Sequence, residues 1–455
     1  MLKTAIEVPE QPYHLSWDIT SACNLKCSFC YSSKHKNQVE SKDLIDLILD
    51  QIVELAPLHL GIGGGEPTES EYLMYVLEFI FKTMGNKMPV ISIDNMQLSK
   101  HPDLLVSARR FNEALQDNKI GFYLSIHGID RIHDLIVGKE GHFIEQMRAI
   151  QFLKEAGVPF AIGVVPTKQN FDQLDDILNL ALGLGSGLLN ISQFVEIGRG
   201  ETKHDLNLTI GQYEHLLKWI ITTNRRLGRH FIVTHEHWLA AFDKEMYKNE
   251  MFIGCSAGIY YLGIRSNGDI VPCQLNSHVL GNVKTTTLKN VWNSSPDLKR
   301  WRIRDVGEPC GSCFLLAKCG GCRCNAVAAG NGFFGAEPVC PVINSKLKFV
   351  NLNNSCKNIN GIHKNSTKKG RISAIRLRMY LATKKGNSIY LRVDERNSFI
   401  ELTECAKNIY LLFNDEKVIH IENIVSQLSN QYNSSEIINE IELLEDLGII
   451  VCDRE

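Results

Sequence analysis

Cysteines carry most of the chemistry that this sequence offers. Cys23, Cys27 and Cys30 stand in the spacing C-x3-C-x2-C. Three thiolates that close together can hold three irons of a cubane [4Fe–4S] cluster and leave the fourth iron open to a substrate. A zinc ion would want a fourth ligand nearby, and His35 is within reach along the chain. A second set lies far downstream. Cys255 and Cys273 come first, then Cys310, Cys313, Cys319 and Cys322 in the spacing C-x2-C-x5-C-x2-C, with Cys324 and Cys340 completing it. There are fourteen cysteines in all. Bunched this way, behind an N-terminus without a signal-peptide core, they read as metal ligands in a reducing, cytoplasmic setting rather than as disulfides. Paired C-x2-C units are equally a common form of structural zinc site. Cys356, Cys405 and Cys452 match no ligand position and read as ordinary thiols.

Shorter motifs lie between the two sets. Gly64-Gly65-Glu66-Pro67 joins glycines that allow close backbone approach to a carboxylate that can receive an ammonium group. Ser125 ends an apolar alternation, and His127 follows it. That histidine is a candidate proton donor, although a hydrogen-bonded structural role suits it better. Gly198-Arg199-Gly200 is a further glycine-rich turn.

Regular elements must bring these residues together. Strands are expected at 14–18, 58–62, 89–93, 121–126, 158–165 and 188–194. Helices near 41–55, 70–83, 142–156 and 172–184 fit between them. Such alternation implies an α/β fold with a parallel sheet, doubly wound or barrel-like, and six units fall short of a closed barrel's eight. A partial barrel over residues 1–240 fits best. Residues 241–345 turn to Gly, Cys and short irregular segments, as in a small domain held by metals rather than by a core. The stretch 346–372 is rich in Lys and Asn and has no acid. It reads as a solvated linker, with a basic strip for an acidic peptide or RNA as the other reading.

Residues 373–455 form a last module. Strand-like IYLRV and FIEL segments precede a helix near 404–413, and a second helix carries Ile421, Ile424, Val425 and Leu428. Ser434 caps a third, whose apolar face is Ile437, Ile441, Leu444 and Leu447 and which stops at Gly448. With a final strand this outlines a winged helix. Its third helix bears Glu436, Glu440, Glu442, Glu445 and Asp446, which argues against DNA. A net charge of −2 gives no global attraction to nucleic acid or acidic lipid, and no apolar run approaches the ~20 residues of a membrane span.

C-x3-C-x2-C after a first strand, with Phe29 before the third cysteine and Gly64-Gly65-Glu66-Pro67 one β/α unit later, resembles the radical S-adenosylmethionine (SAM) superfamily. That resemblance implies a partial (β/α)6 barrel. It also implies a [4Fe–4S] cluster on Cys23, Cys27 and Cys30 whose open iron takes the amino and carboxylate groups of SAM. Phe29, Gly64, Gly65, Glu66, Pro67 and Ser125 would line the SAM site, with Glu66 at the ammonium and Ser125 at the ribose. Reductive cleavage of SAM would then yield methionine and a 5′-deoxyadenosyl radical. Gly198-Arg199-Gly200 matches a GRG found late in the barrel of many relatives. Three positions depart from the family pattern: His127 where relatives often have Asp, Val137 where many have Arg, and Asp94-Asn95-Met96 where TNG is usual.

The downstream set resembles the SPASM extension, which implies two auxiliary [4Fe–4S] clusters and so three clusters in all. Family pairing gives Cys310, Cys313, Cys319 and Cys340 to an outer cluster and Cys255, Cys273 and Cys322 to an inner one. Two residues separate Cys319 and Cys322 where three is usual, a gap that some haem-pathway relatives share. Some relatives have another cysteine six residues after the first, where this chain has Tyr261. The fourth inner position falls to Cys324 or stays open. The last module is similar to the PqqD-like fold, the recognition element of enzymes that mature ribosomally made, modified peptides (RiPPs). There a precursor's leader adds as a strand to a sheet edge.

Together these resemblances imply a peptide maturase that abstracts hydrogen from a precursor peptide and installs a thioether or carbon–carbon crosslink. Its partners would be the precursor, through its leader, and a reductant such as flavodoxin or ferredoxin, with neither nucleic acid nor membrane. Two other readings are a radical SAM decarboxylase of a haem precursor and a zinc-bound, non-catalytic winged-helix regulator.

Overall fold

Seven strands lie parallel and side by side in chain order: β1 (His14–Thr20), β2 (His59–Gly64), β3 (Val90–Asp94), β4 (Ile120–Ser125), β5 (Phe160–Val164), β6 (Leu189–Ile191) and β7 (Ile232–Thr234). A doubly wound sheet reverses its strand order at a switch point. Here no reversal occurs, so each right-handed crossover advances the same way and sets its helix on the same face. The winding is that of a barrel. The computed structural model describes residues 6–344 except 7, 36–39, 95–96, 229–230, 235–236 and 249–251, and beyond them 371–373, 383–385, 388–392, 399–401, 418–420, 426–434, 437–438, 441 and 451–453.

The covering helices are α1 (Lys42–Leu55), α2 (Leu73–Met84), α3 (Pro102–Leu115), α4 (Arg131–Val137), α5 (His142–Ala156), α6 (Leu174–Leu184) and α7 (Ile210–Leu227). Alternation along the strands sorts the two faces of the sheet. Leu15, Trp17, Ile19, Leu60, Ile62, Ile91 and Ile93 are fully buried. Between them Ser16, Asp18, Gly61, Gly63, Ser92 and Asp94 form a polar, small-residue inner face.

The cysteine-rich segment continues this sheet. β8 (Tyr261–Ile264) pairs parallel with β1, and β9 (Asp269–Val271) and β10 (Gly281–Asn282) add antiparallel strands. The outermost strands of the ten are β7 and β10, so the sheet is open. The expectation of a domain held by metals instead of a core needs correction. Ile259, Trp292, Leu298 and Trp301 are fully buried there. Trp301 Nε1 donates to the Ala257 carbonyl at 2.6 Å, and the guanidinium groups of Arg304 and Arg323 lie 4.0 and 5.0 Å from its ring centre.

The chain divides into two compact units, residues 1–347 and 348–455. The described strands of the second are β11 (Arg371–Ser373), β12 (Thr383–Lys385), β13 (Ser388–Arg392), β14 (Phe399–Glu401), β15 (Val418–His420) and β16 (Val451–Asp453). β11 lies between β15 and β16, and β13 between β12 and β14, all antiparallel. Leu428, Ile437 and Ile441 are buried. Residues 389–392 of the IYLRV segment fall on β13 and residues 399–401 of FIEL on β14. The helix expected near 404–413, most of the third helix, residues 346–370, Cys356 and Cys405 lie outside the described residues. Among the described residues no helix is long and apolar enough to cross a membrane.

Candidate active site and cysteine clusters

The motif residues of the sheet sit at the C-terminal ends of β1, β2, β4 and β6, the end where barrel-type folds place their chemistry. Cys23, Cys27 and Cys30 are half-buried on the loop after β1. Three elements hold that loop. At the end of α4, the carbonyls of Val137 and Ile136 accept the N–H groups of Lys26 (3.0 Å) and Ser28 (2.8 Å). Arg199 donates from Nε to the Cys27 carbonyl (2.7 Å) and from its backbone to the Cys30 carbonyl (3.1 Å). After β2, the N–H groups of Gly65 and Glu66 donate to the carbonyls of Thr20 (2.9 Å) and Ala22 (2.7 Å). A Cβ at position 65 would stand 1.9 Å from the Ala22 carbonyl oxygen, so only glycine fits.

Burial raises the thiol pKa of Cys23 and pushes that of Cys27 to about 12, with Cys30 adding and the Arg199 guanidinium opposing. Cys23 and Cys27, thiols that ionise reluctantly by themselves, make with the neighbouring Cys30 a donor set that suits a cationic cluster. Among the described residues no three His, Cys, Asp or Glu side chains converge closely enough for a single metal ion. A cubane, with one thiolate on each iron, spaces its cysteines farther apart than one zinc ion does.

Around this loop lie the expected SAM contacts. Glu66 is buried and accepts the Thr68 hydroxyl at 2.7 Å. The Ser125 hydroxyl has no protein partner among the described residues. Phe29 meets His127 edge-on at 5.0 Å. His127 Nδ1 accepts the Val165 N–H at 3.3 Å, and burial, with His142, lowers its pKa to about 4. It is therefore neutral near pH 7, with Nδ1 as an acceptor. Its backbone N–H donates to His133 Nδ1 (3.1 Å), and His133 Nε2 faces His142 Nδ1 (2.9 Å).

Sequence reasoning passed over Asp18, which lies on the inner face and accepts the Tyr31 hydroxyl at 3.1 Å. Burial raises its carboxyl to about 6, against hydrogen bonds from Gln274 and Tyr31 and the charge of Arg265. Asp94, exposed at the end of β3, lies among protein atoms that desolvate its carboxyl, which with Asp18 and Glu66 raises it to about 7. The alternation of Ser16, Asp18 and Thr20 with Leu15, Trp17 and Ile19 is the signal that would have found Asp18.

The downstream cysteines fall into two groups. Cys310, Cys313, Cys319 and Cys340 line one cavity together with Glu337. Gly321, with φ +67°, turns its N–H toward Cys319 Sγ at 3.4 Å, and a Cβ there would stand 3.3 Å from Cys310 Sγ. Cys273, Cys322 and Cys324 pack in one apolar cluster with Val195 and Ile197. Burial and the nearby Cys322 raise the Cys255 thiol to about 11. Glu337, which no motif marked, stands between the groups. It accepts the Cys322 N–H and Asn325 Nδ2 (2.5 Å), and faces the buried His237 Nε2 at 2.6 Å.

Residues 17–181 match the model of the radical SAM superfamily, and residues 255–314 match SPASM, an iron–sulfur cluster-binding domain. The AdoMet-dependent heme synthase of Oleidesulfovibrio alaskensis is 25% identical over 347 residues, 72% of this chain and 86% of that protein. The mycofactocin maturase MftC of Mycolicibacterium smegmatis is 28% identical over 349 residues, 73% of this chain and 83% of that protein. The Streptococcus suis SuiB structure bound to its precursor peptide SuiA shares the α/β fold, with TM-score 0.59 and 20% identity over 73% of this chain and 76% of that one.

Proposed function

We propose that this radical SAM enzyme, whose cofactors are [4Fe–4S] clusters and S-adenosylmethionine, takes a hydrogen atom from a ribosomally made precursor peptide and installs an oxidative thioether or carbon–carbon crosslink. The observation that carries the reading is one unit holding a cysteine loop at the mouth of a polar sheet face and two more cysteine groups in the segment that extends the same sheet. When bound, these cofactors supply a 5′-deoxyadenosyl radical and acceptors for the electron that an oxidation releases.

The chain's own residues do the positioning. Cys23, Cys27 and Cys30 hold the first cluster, and Phe29, Gly64, Gly65, Glu66, Pro67 and Ser125 line the SAM site with Glu66 toward the ammonium. Cys310, Cys313, Cys319 and Cys340 hold the outer auxiliary cluster, and Cys255, Cys273 and Cys322 the inner one. The helices close one face of the sheet, so peptide and SAM meet on the other. Residues 373–455 serve as a winged-helix, PqqD-like element, to whose edge strands a leader adds. A cytoplasmic flavodoxin or ferredoxin delivers the electron.

The heme synthase relative supports a second reading, decarboxylation of a haem precursor. A tetrapyrrole with several carboxylates asks for cations. The inner face instead presents Asp18, Asp94 and Glu66, and the buried Arg265 is engaged by the Asn276 carbonyl at 2.6 Å. The charge favours the peptide.

Anaerobic reconstitution tests the reading. About twelve irons per chain are expected, falling by about a third in the Cys23/Cys27/Cys30→Ala variant, which no longer forms 5′-deoxyadenosine. A precursor peptide should lose hydrogen by mass spectrometry. Zinc in place of iron, without SAM cleavage, would sink the proposal, and turnover of a tetrapyrrole with the peptide untouched would favour the haem reading.

A further inference from the structure

Cys322 and Cys324 flank the position where the SPASM pattern has its sixth cysteine, and Arg323 occupies that position. Arg323 is fully buried. Its guanidinium donates to the carbonyls of Gly320 (2.9 Å), Phe333 (2.9 Å) and Gly335 (2.7 Å). The arginine thus anchors the start of the helix Arg323–Ala328, which carries a cysteine on either side of it. Cys322 is the N-cap of that helix and its Sγ accepts the Asn325 N–H at 3.5 Å. Cys324, in the first turn, is 3% exposed, and its thiol shares hydrogen bonds with both Cys273 and Cys322.

We infer that Cys324 is the fourth ligand of the inner auxiliary cluster, which closes that cluster to substrate and makes it an electron relay only. This rests on the reading of Cys255, Cys273 and Cys322 as its other ligands. The neighbouring donors are already engaged. Tyr261, in the position where some relatives have a cysteine, bonds through its hydroxyl to Ser16 and stacks on His14 at 4.7 Å. The Glu337 carboxylate is taken up by Cys322 N–H, Asn325 and His237. Cys324 is the thiol left in contact with two of the three ligands. A cluster held by four thiolates has no vacant iron, so the peptide must be held by the protein and lose its electron through space.

The test uses the full-length, reconstituted Cys23/Cys27/Cys30→Ala variant, which lacks the open first cluster and should keep about eight irons per chain. Mild ferricyanide oxidation strips the unprotected iron from a cluster with three cysteine ligands and leaves a [3Fe–4S] signal in electron paramagnetic resonance. The variant should show no such signal, and adding Cys324→Ala should create one of up to one spin per chain. Cys324→Ser, whose oxygen can still ligate, should keep iron and sulfide at the parent level while shifting the reduced spectrum, which guards against simple misfolding. A [3Fe–4S] signal already present in the parent variant and unchanged by Cys324→Ala overturns the inference alone. A parent variant that binds zinc instead of iron overturns the iron–sulfur reading together with it.

Discussion

Asp94 shows how one residue registers its surroundings. A carboxyl enclosed beside Asp18 and Glu66 is held at about 7, whereas in an unfolded chain an Asp titrates near 4, about its intrinsic value. Between those values the folded chain keeps a proton that the unfolded chain has released. Stability therefore falls as pH rises from about 4 to 7 and levels off above. Asp18, held at about 6, acts in the same direction. In thermal melts of cluster-free protein, Asp94→Asn should flatten this fall and melt above the wild type at pH 8. Superimposable profiles for the two proteins would show that Asp94 does not carry the effect. In the sequence Asp94 registers only as a departure from TNG. Its meaning depends on Asp18 and Glu66 arriving beside it from other strands, which no local pattern states.

At the scale of elements, β1 to β6 were legible because apolar alternation is local, and their expected sites carry the observed strands, whereas β7 to β10, of two to four residues each, were not read. Among the helices that cover the seven parallel strands, three were not read. α7 has the marks of one: Thr209 and Gln212 form a capping box, and Tyr213, Leu216, Leu217, Ile220 and Ile221 make a buried stripe. α3 begins on Pro102 and buries Leu104, Ala108 and Phe111 at helical spacing. α4, with seven residues, is too short for periodicity to speak, yet its last carbonyls hold the cysteine loop. The pairing of β8 with β1 was also hidden, since a four-residue strand carries no sign of a partner about 250 residues away. That segment was expected to lean on metals, but its tryptophans form a core. Trp301→Ala should therefore cost about 3–5 kcal/mol, the range for deleting a large buried aromatic, read as a lower denaturation midpoint. It should also lower iron retention at the downstream cysteines while leaving the first cluster's SAM cleavage largely intact. A midpoint unchanged from the wild type would mean that metals, not Trp301, hold the segment.

For the whole molecule, the chain divides at residue 347, and the proposed function assigns the chemistry to the first unit and leader recognition to the second. The first unit contains the complete ten-stranded sheet, all eleven cysteines proposed as ligands and the inner-face acids. Nothing in the proposed SAM cleavage calls on the second unit, whose antiparallel sheets suit capture of an extended leader. Truncation after Leu347 should then leave a protein that binds about twelve irons and still forms 5′-deoxyadenosine from SAM when reduced. It should no longer bind a fluorescently labelled precursor, and should modify the core peptide only at concentrations far above those the full chain needs. Supplying residues 348–455 as a separate polypeptide should leave most of that loss in place, because an untethered element no longer raises the peptide's effective concentration at the first unit. If the truncated chain bound and modified the precursor as well as the full chain, recognition would have to reside on the sheet's acidic inner face. A search for substrate would then begin with peptides carrying a basic residue near the modified site.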